Sequence, residues 1–290
     1  MKFGINGLPL TPYIRLIRPL GSILIGLVTF AGQMIALKGL PELSLSFFSF
    51  STSVFLTASS FVINDYLDVE IDRINRPNRP IPSGLVSKKS ALYFGLTLFT
   101  LGSLSAIMIN LLAMLLALFT FILSVLYSLY GKRYGLLGNM MVAYCVSIAF
   151  IFGSLSATES INLTVATLFT LSFFSNLGRE VTQGIADMEG DRVKGVRSVA
   201  IVNGPRSAAL FASACYSITA LFGPIIFLYL FNKLDILRTL FVLTSEVGFF
   251  FSIIYLLREP TRDRALKTVR QVNLWMIMVL GAVTIIGLYL

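Results

Sequence analysis

The sequence predicts an all-α, multi-pass membrane protein, a bundle of nine transmembrane helices in one domain over residues 1–290, with two long cytoplasmic loops capping a central cavity. Three observations carry this. Hydrophobic residues make up 56% of the 290 and charged residues only 13%, against about 45–50% and about 25% in soluble domains. The mean hydropathy is +0.84. Apolar runs recur at the length of about 20 residues that a membrane helix needs, and no strand-like alternation of about ten residues suggests a membrane β-barrel.

The runs bounded by charge lie at 18–37, 45–64, 91–110, 112–130, 138–157, 162–180, 207–231, 238–257 and 271–290. The first follows Arg15 and Arg18, has the length of a spanning helix and is followed by no A-x-A-like cleavage site, so it reads as a permanent span. Cys145 and Cys215 sit inside apolar runs, far apart, and read as small buried side chains. The chain has no histidine, which excludes His-ligated metals, Ser-His-Asp triads and imidazole bases.

Charge gives the orientation. Of the 23 Lys and Arg, 20 fall in the connections on the side of the N-terminus, and only Lys38, Lys233 and Arg238 on the other. Positive charge marks the cytoplasmic side, so the N-terminus is expected inside the cell and the C-terminus outside. The net charge of +9 is then a topology signal that calls for no nucleic-acid partner.

Two connections of about 25 residues, both cytoplasmic in this reading, hold the acidic constellations. The first runs Asn64-Asp65-Tyr66-Leu67-Asp68-Val69-Glu70-Ile71-Asp72 and continues through Arg73, Arg76, Pro77, Arg79, Pro80 and Pro82 to Gly84. If the helix continues, Asn64, Asp68 and Asp72 share a face, Asp65 borders it and Glu70 points elsewhere. The second carries Gly178-Arg179-Glu180, then Asp187-Met188-Glu189-Gly190-Asp191-Arg192-Val193-Lys194. Asp187 and Asp191 follow Asp68 and Asp72 by the same 119 residues, consistent with a weak internal duplication. Acidic groups crowded at a membrane edge are costly and mark function. Carboxylate and amide oxygens without His or Cys suit Mg²⁺, which shares its coordination with water and substrate phosphate. Arg73, Arg76 and Arg79 are suited to phosphate or to anchoring the loop. Glu246, alone in the eighth run, reads as a hydrogen-bonded interhelical residue, and most aromatic residues as packing or lipid-facing groups.

The pattern Asn-Asp-x-x-Asp-x-x-x-Asp at 64–72, with Asn-Arg-Pro-x-Arg-Pro-Ile-Pro-Ser-Gly at 75–84, resembles the UbiA superfamily of intramembrane prenyltransferases. Asp-x-x-x-Asp at 187–191 matches that family's second aspartate motif, and the resemblance covers the whole chain. It implies two Mg²⁺ ions and an isoprenyl diphosphate in a cavity on the cytoplasmic side. Carried over by position, Asn64, Asp68 and Asp72 would bind one ion, with Asp65 in support, and Asp187 and Asp191 the other. Arg18, Asn64, Arg73, Arg79, Lys132, Arg192 and Lys194 would contact diphosphate, and Tyr127 would stabilise the allylic cation or hold the leaving group. The motif forms are most similar to archaeal digeranylgeranylglyceryl phosphate synthases and to chlorophyll synthases. Compactness, the absence of histidine and a loop rich in cations suited to a lipid-phosphate acceptor favour the first. Gln183 and Gly184 stand where relatives often carry Lys-Asp, which removes one ligand for metal or acceptor. Aromatic acceptors such as 4-hydroxybenzoate or naphthoates are alternatives, and outside the family an ion-coupled transporter is the competing reading; its helix breaks would lie at mid-membrane, whereas the punctuation here lies at the edge.

Overall fold

A computed structural model describes residues 10–193, 195–230 and 236–287. Both chain ends, Lys194 and Lys233 lie outside the described residues, as does the expected placement of the termini. Among the described residues every regular element is helical. A short α1 (Thr11–Ile17) leads into α2 (Pro19–Leu37), then α3 (Leu43–Leu67), α4 (Val69–Asn75), α5 (Lys88–Ile107) and α6 (Leu111–Leu129). A 3₁₀ turn at Gly131–Tyr134 precedes α7 (Leu136–Ser147), α8 (Ala149–Thr158) and α9 (Leu163–Ala186). Short α10 (Met188–Val193) and α11 (Val199–Asn203) lead to α12 (Pro205–Leu230), α13 (Ile236–Arg258) and α14 (Arg262–Gly287). Among the described residues six segments are long and apolar enough to cross a membrane: α2, α3, α5, α6, the joined α7–α8 and the Pro205–Pro224 part of α12.

Local chemistry sets the helix ends. Pro19 takes the first position of α2, where a missing N–H costs nothing. Ser87, Asn110 and Asn162 cap α5, α6 and α9 by accepting from the N–H groups of Ser90, Ala113 and Val165. Pro77 follows the end of α4 and stops it. The two long connections expected as loops carry helix at their starts: α3 and α9 run beyond their apolar stretches into the aspartate motifs, followed by short α4 and α10, while 76–87 has no helix. Likewise α14 begins at Arg262, nine residues before the expected 271, with Asp263 in its positive first turn. Hydropathy marks where a helix is apolar and is silent on where it emerges as a polar helix.

The chain repeats itself in space. Shifting α3 by 119 residues lands on α9 within a residue at either end, and the same shift takes α2 onto α7–α8 and α5 onto α12 to within a few residues. Packing follows suit, with α3 against α5 in the first half and α9 against α12 in the second. The halves join where α2 crosses α8. A Cβ on Gly153 would fall 2.1 Å from the Thr29 carbonyl oxygen, and one on Gly32 would fall 2.4 Å from that of Phe150, so the backbones touch through glycine. Buried hydroxyl pairs tie α9 to α12, Ser175 with Thr219 at 2.8 Å and Thr182 with Tyr216 at 2.9 Å. Around them pack Val181, Ile185, Phe249 and Val272.

Helix α6 is held loosely by comparison: only 11% of its apolar window is buried in the protein. Leu111, Leu115, Phe119, Ile122 and Leu126 are exposed along one face, while Ala117, Thr120, Phe121, Ser124 and Tyr127 line the internal cavity from the other.

Candidate active site

Asp68 and Asp187 occupy matching breaks between helices. Asp68 ends α3 and begins α4 with φ −88° and ψ 5°; Asp187 ends α9 ahead of α10 with φ −97° and ψ 3°. The i→i−4 hydrogen bonds persist across both, from Asp72 N to Asp68 O at 2.8 Å and from Asp191 N to Asp187 O at 2.9 Å. The expected continuation of the helix therefore holds. Each motif's second aspartate lies one turn beyond its first, on the same face.

One cavity of about 1570 Å³ receives both motifs: Asn64, Asp68, Asp72, Asp187 and Asp191 all line it, with Arg18, Arg79, Tyr127 and Lys132. Its inner reaches are apolar, among Val28, Phe150, Leu168, Val279 and Val283. A polar, charged mouth above a long apolar chamber suits an amphiphile with an anionic head.

Cations already answer the acidic groups of the first motif. Arg18 Nη2 donates to Asp65 Oδ1 at 2.6 Å, and Arg79 Nη1 bridges Asp65 Oδ1 at 2.9 Å and Asp72 Oδ2 at 2.5 Å. Lys132 Nζ contacts Asp68 Oδ2. Satisfying both ends of the Asn64 amide makes it donate to Asp68 Oδ2 at 3.2 Å and accept from Lys132 Nζ at 3.0 Å and Ser128 Oγ at 2.9 Å. All three aspartates are buried, where an unpaired carboxylate would be costly. In the second motif Gln183 donates to Asp187 Oδ2 at 2.9 Å, so the residue that departs from the family pattern orients an aspartate.

The structure does not gather every expected residue. Asp65 is not among the cavity-lining side chains; it lies buried behind them and fixes Arg18 and Arg79. Arg73 is exposed and paired with Glu70 at 2.8 Å, away from the cavity, and Arg192 is exposed on α10 and also absent from the lining. Lys194 lies outside the described residues. Among the described residues no three acidic side chains converge closely enough to hold a metal ion; Asp68 and Asp72 turn to Lys132 and Arg79 instead. The side chains that the two aspartate motifs turn to the cavity nonetheless offer oxygens and no sulfur or imidazole, which fits a hard cation.

Two expectations need correction. Cys145 is half-buried and lines the cavity, and only Cys215 is fully buried. Glu246 also lines the cavity and is buried, and among the described residues its Oε2 has no hydrogen-bond partner, so it is not the satisfied interhelical residue expected. Arg179, Glu180 and Gln183, noted in the sequence but given no role in the site, form with Asn176 a stripe on α9 that lines the cavity below Asp187. The three- and four-residue spacing of polar groups leading up to Asp187 was the signal available.

The fold and paired motifs define an intramembrane prenyltransferase, and the chain belongs to the UbiA prenyltransferase family, whose pattern matches residues 25–278. The chain is 34% identical over 256 residues to the digeranylgeranylglyceryl phosphate synthase of Thermococcus kodakarensis, covering 87% of this chain and 89% of that one. A solved structure concerned with digeranylgeranylglyceryl phosphate synthase in membranes superposes with a TM-score of 0.77 at 29% identity, covering 97% of this chain and 99% of that one. A UbiA homolog from Archaeoglobus fulgidus, solved bound to GPP and Mg²⁺, shares the fold with a TM-score of 0.66 at 18% identity, covering 94% and 99%.

Proposed function

We propose that this protein transfers a geranylgeranyl group from geranylgeranyl diphosphate to the free hydroxyl of geranylgeranylglyceryl phosphate and releases diphosphate, as a Mg²⁺-dependent archaeal ether-lipid enzyme. The observation that carries the reading is the convergence of two aspartate-bearing helix breaks, one from each half of the chain, on a single chamber. The identity to the Thermococcus synthase over most of both chains supports the acceptor.

In this reading nine helices span the membrane, because α9, α13 and α14, of 24, 23 and 26 residues, pack among the six apolar ones. The surplus of Lys and Arg places the motifs on the cytoplasmic side, with the N-terminus inside and the C-terminus outside. Membrane lipid surrounds the bundle, and nucleic acid has no part.

Asn64, Asp68 and Asp72 would hold one Mg²⁺, and Asp187 and Asp191 a second. Bound there, the ions supply countercharge for the departing diphosphate. Arg18, Arg79 and Lys132 line the same mouth, and they orient the diphosphate and stabilise negative charge as the allylic C–O bond breaks. Tyr127, on the cavity face of α6, presents its ring beside the electron-deficient carbon. The apolar wall from Phe121 and Val146 to Val283 holds the isoprenoid tail and excludes water that would capture the carbon. Arg73 and Arg192, outside the cavity, serve the membrane surface.

The test is one competition assay in lipid nanodiscs, with geranylgeranyl diphosphate, geranylgeranylglyceryl phosphate, 4-hydroxybenzoate and a chlorophyllide-type alcohol present together. The product mass should be that of the second glycerol ether, formation should cease on chelation of Mg²⁺, and Asp68→Asn and Asp187→Asn should each abolish it. Prenylation of 4-hydroxybenzoate without the glycerol ether refutes the acceptor assignment. Near-parental rates in both aspartate variants refute the metal assignment.

A further inference from the structure

Ether formation at an alcohol must remove a proton from the acceptor oxygen, and this chain has no imidazole to take it. Apart from the departing diphosphate, the protein groups that can are the carboxylates facing the chamber, and a loss of ether in a carboxylate variant distinguishes the two. Besides the four motif aspartates, the described lining holds Glu180, Glu189 and Glu246. Glu189 is 91% exposed at the mouth, near Arg262. Glu246 lies 12 residues before the end of α13 at Arg258, which is about 18 Å along the helix from the motif side. The aspartates are committed to cations, to Gln183 or, in the proposed reaction, to metal.

Glu180 is also paired with a cation, but it stands outside both aspartate motifs and deeper in the chamber than they do. It lies seven residues before Asp187 on the same face of α9, two turns deeper into the chamber, with Gln183 between them. Its side chain is 16% exposed, and Arg179 Nη2 holds Oε1 at 2.6 Å. Arg179 is itself steadied by Asn176 Oδ1 at 3.4 Å. The carboxylate thus has a fixed position and lone pairs to spare. Tyr127, on the cavity face of α6, lines the same chamber from another wall. The residue expected to face the reacting carbon and Glu180 therefore share one chamber.

We propose that Glu180 is the proton acceptor for the acceptor alcohol, an inference that rests on the prenyl-transfer reading above. The alcohol oxygen forms a new bond to the allylic carbon with its lone pair. The bond from that carbon to the diphosphate oxygen breaks, its electron pair leaving with diphosphate. The proton of the alcohol passes to Glu180. A carboxylate suffices as the base, because the hydroxyl becomes acidic only as its oxygen begins to share electrons with the electron-deficient carbon.

The experiment uses the full chain in nanodiscs with Mg²⁺, geranylgeranyl diphosphate and geranylgeranylglyceryl phosphate. It measures two products: the ether, and the prenyl alcohol that forms when water captures the same carbon. General acid–base contributions run to about 10²–10⁴-fold. Glu180→Gln should lower ether kcat by about 100-fold or more and shift the ether-to-alcohol ratio toward alcohol. Glu180→Asp should restore a measurable part of the ether rate. Overturning results are an ether rate in Glu180→Gln close to the parent's, or ether and prenyl alcohol falling in equal proportion, which marks a site that is merely disordered. A parent protein that makes neither product overturns the prenyl-transfer reading itself, and this inference with it.

Discussion

Arg79→Ala removes the one cation that bridges two buried carboxylates. Arg79 Nη1 donates to Asp65 Oδ1 at 2.9 Å and to Asp72 Oδ2 at 2.5 Å, with the arginine side chain 18% exposed. Stripping one partner from a buried ion pair costs about 3–5 kcal/mol. Asp65 would keep Arg18 at 2.6 Å, whereas among the described residues Asp72 has no second cation. The loss is therefore that of about one uncompensated carboxylate, discounted for partial exposure, or about 2–4 kcal/mol. At about 2 °C per kcal/mol for a chain of this size, the melting temperature should fall by about 4–8 °C. Thermal unfolding followed by intrinsic fluorescence, parent and variant in the same detergent and without Mg²⁺, reads this directly. Arg79→Lys should fall between them, because an ammonium keeps the charge without the planar fork that reaches both carboxylates. If Arg79→Ala melts within about 1 °C of the parent, where a 2–4 kcal/mol loss demands more, the buried bridge is not a stabilising feature. If Arg79→Lys matches the parent, geometry does not matter and charge alone suffices.

Lys132→Met removes the cation on Asp68 and should raise the KM for the isoprenyl diphosphate by about 10-fold or more, the loss of one charge-assisted contact of about 1.5–3 kcal/mol; donor titrations at saturating acceptor measure it. Gly153→Ala places a Cβ 2.1 Å from the Thr29 carbonyl oxygen. Alanine normally stabilises a helix interior by about 1 kcal/mol, but here α2 and α8 must separate, and a net loss of about 1–3 kcal/mol should appear in thermal melts. Glu246→Leu replaces a buried carboxyl whose Oε2 lacks a partner among the described residues. It should leave the protein as stable or up to about 2 kcal/mol more stable, and a melting temperature below the parent's would mean that Glu246 is satisfied within the fold.

The fold was readable because lipid imposes a simple code. Apolar length locates helices, so α2, α3, α5 and α6 fell within three residues of their expected limits at each end. The aspartate motifs were readable because acidic groups at helical spacing are rare beside apolar runs. Other features left no mark in composition. Arg73 and Arg79 look equivalent in the sequence, yet one pairs with exposed Glu70 and the other enters the site. The turn through Pro77 and Pro80 reverses the chain, and only tertiary contact decides which guanidinium swings back. Glu246 was assigned to helix packing, and the α9 stripe was given no role, for a similar reason. A polar residue within an apolar helix reveals its depth but not whether protein or a chamber lies opposite it.

Helix α6 exposes most of one face outward and lines the chamber with the other. At that point the partition between reaction chamber and surroundings is one helix thick, and its outer support is whatever hydrocarbon surrounds the protein. In the proposed reading the bilayer is then part of the enzyme's wall, and lipid chain length and order should alter how closely α6, with its cavity-lining Tyr127 and Ser124, packs on the chamber. Turnover should accordingly vary with the hydrophobic thickness of the host membrane even when no substituent of the site is altered, and short-chain detergents should loosen the chamber before they unfold the bundle.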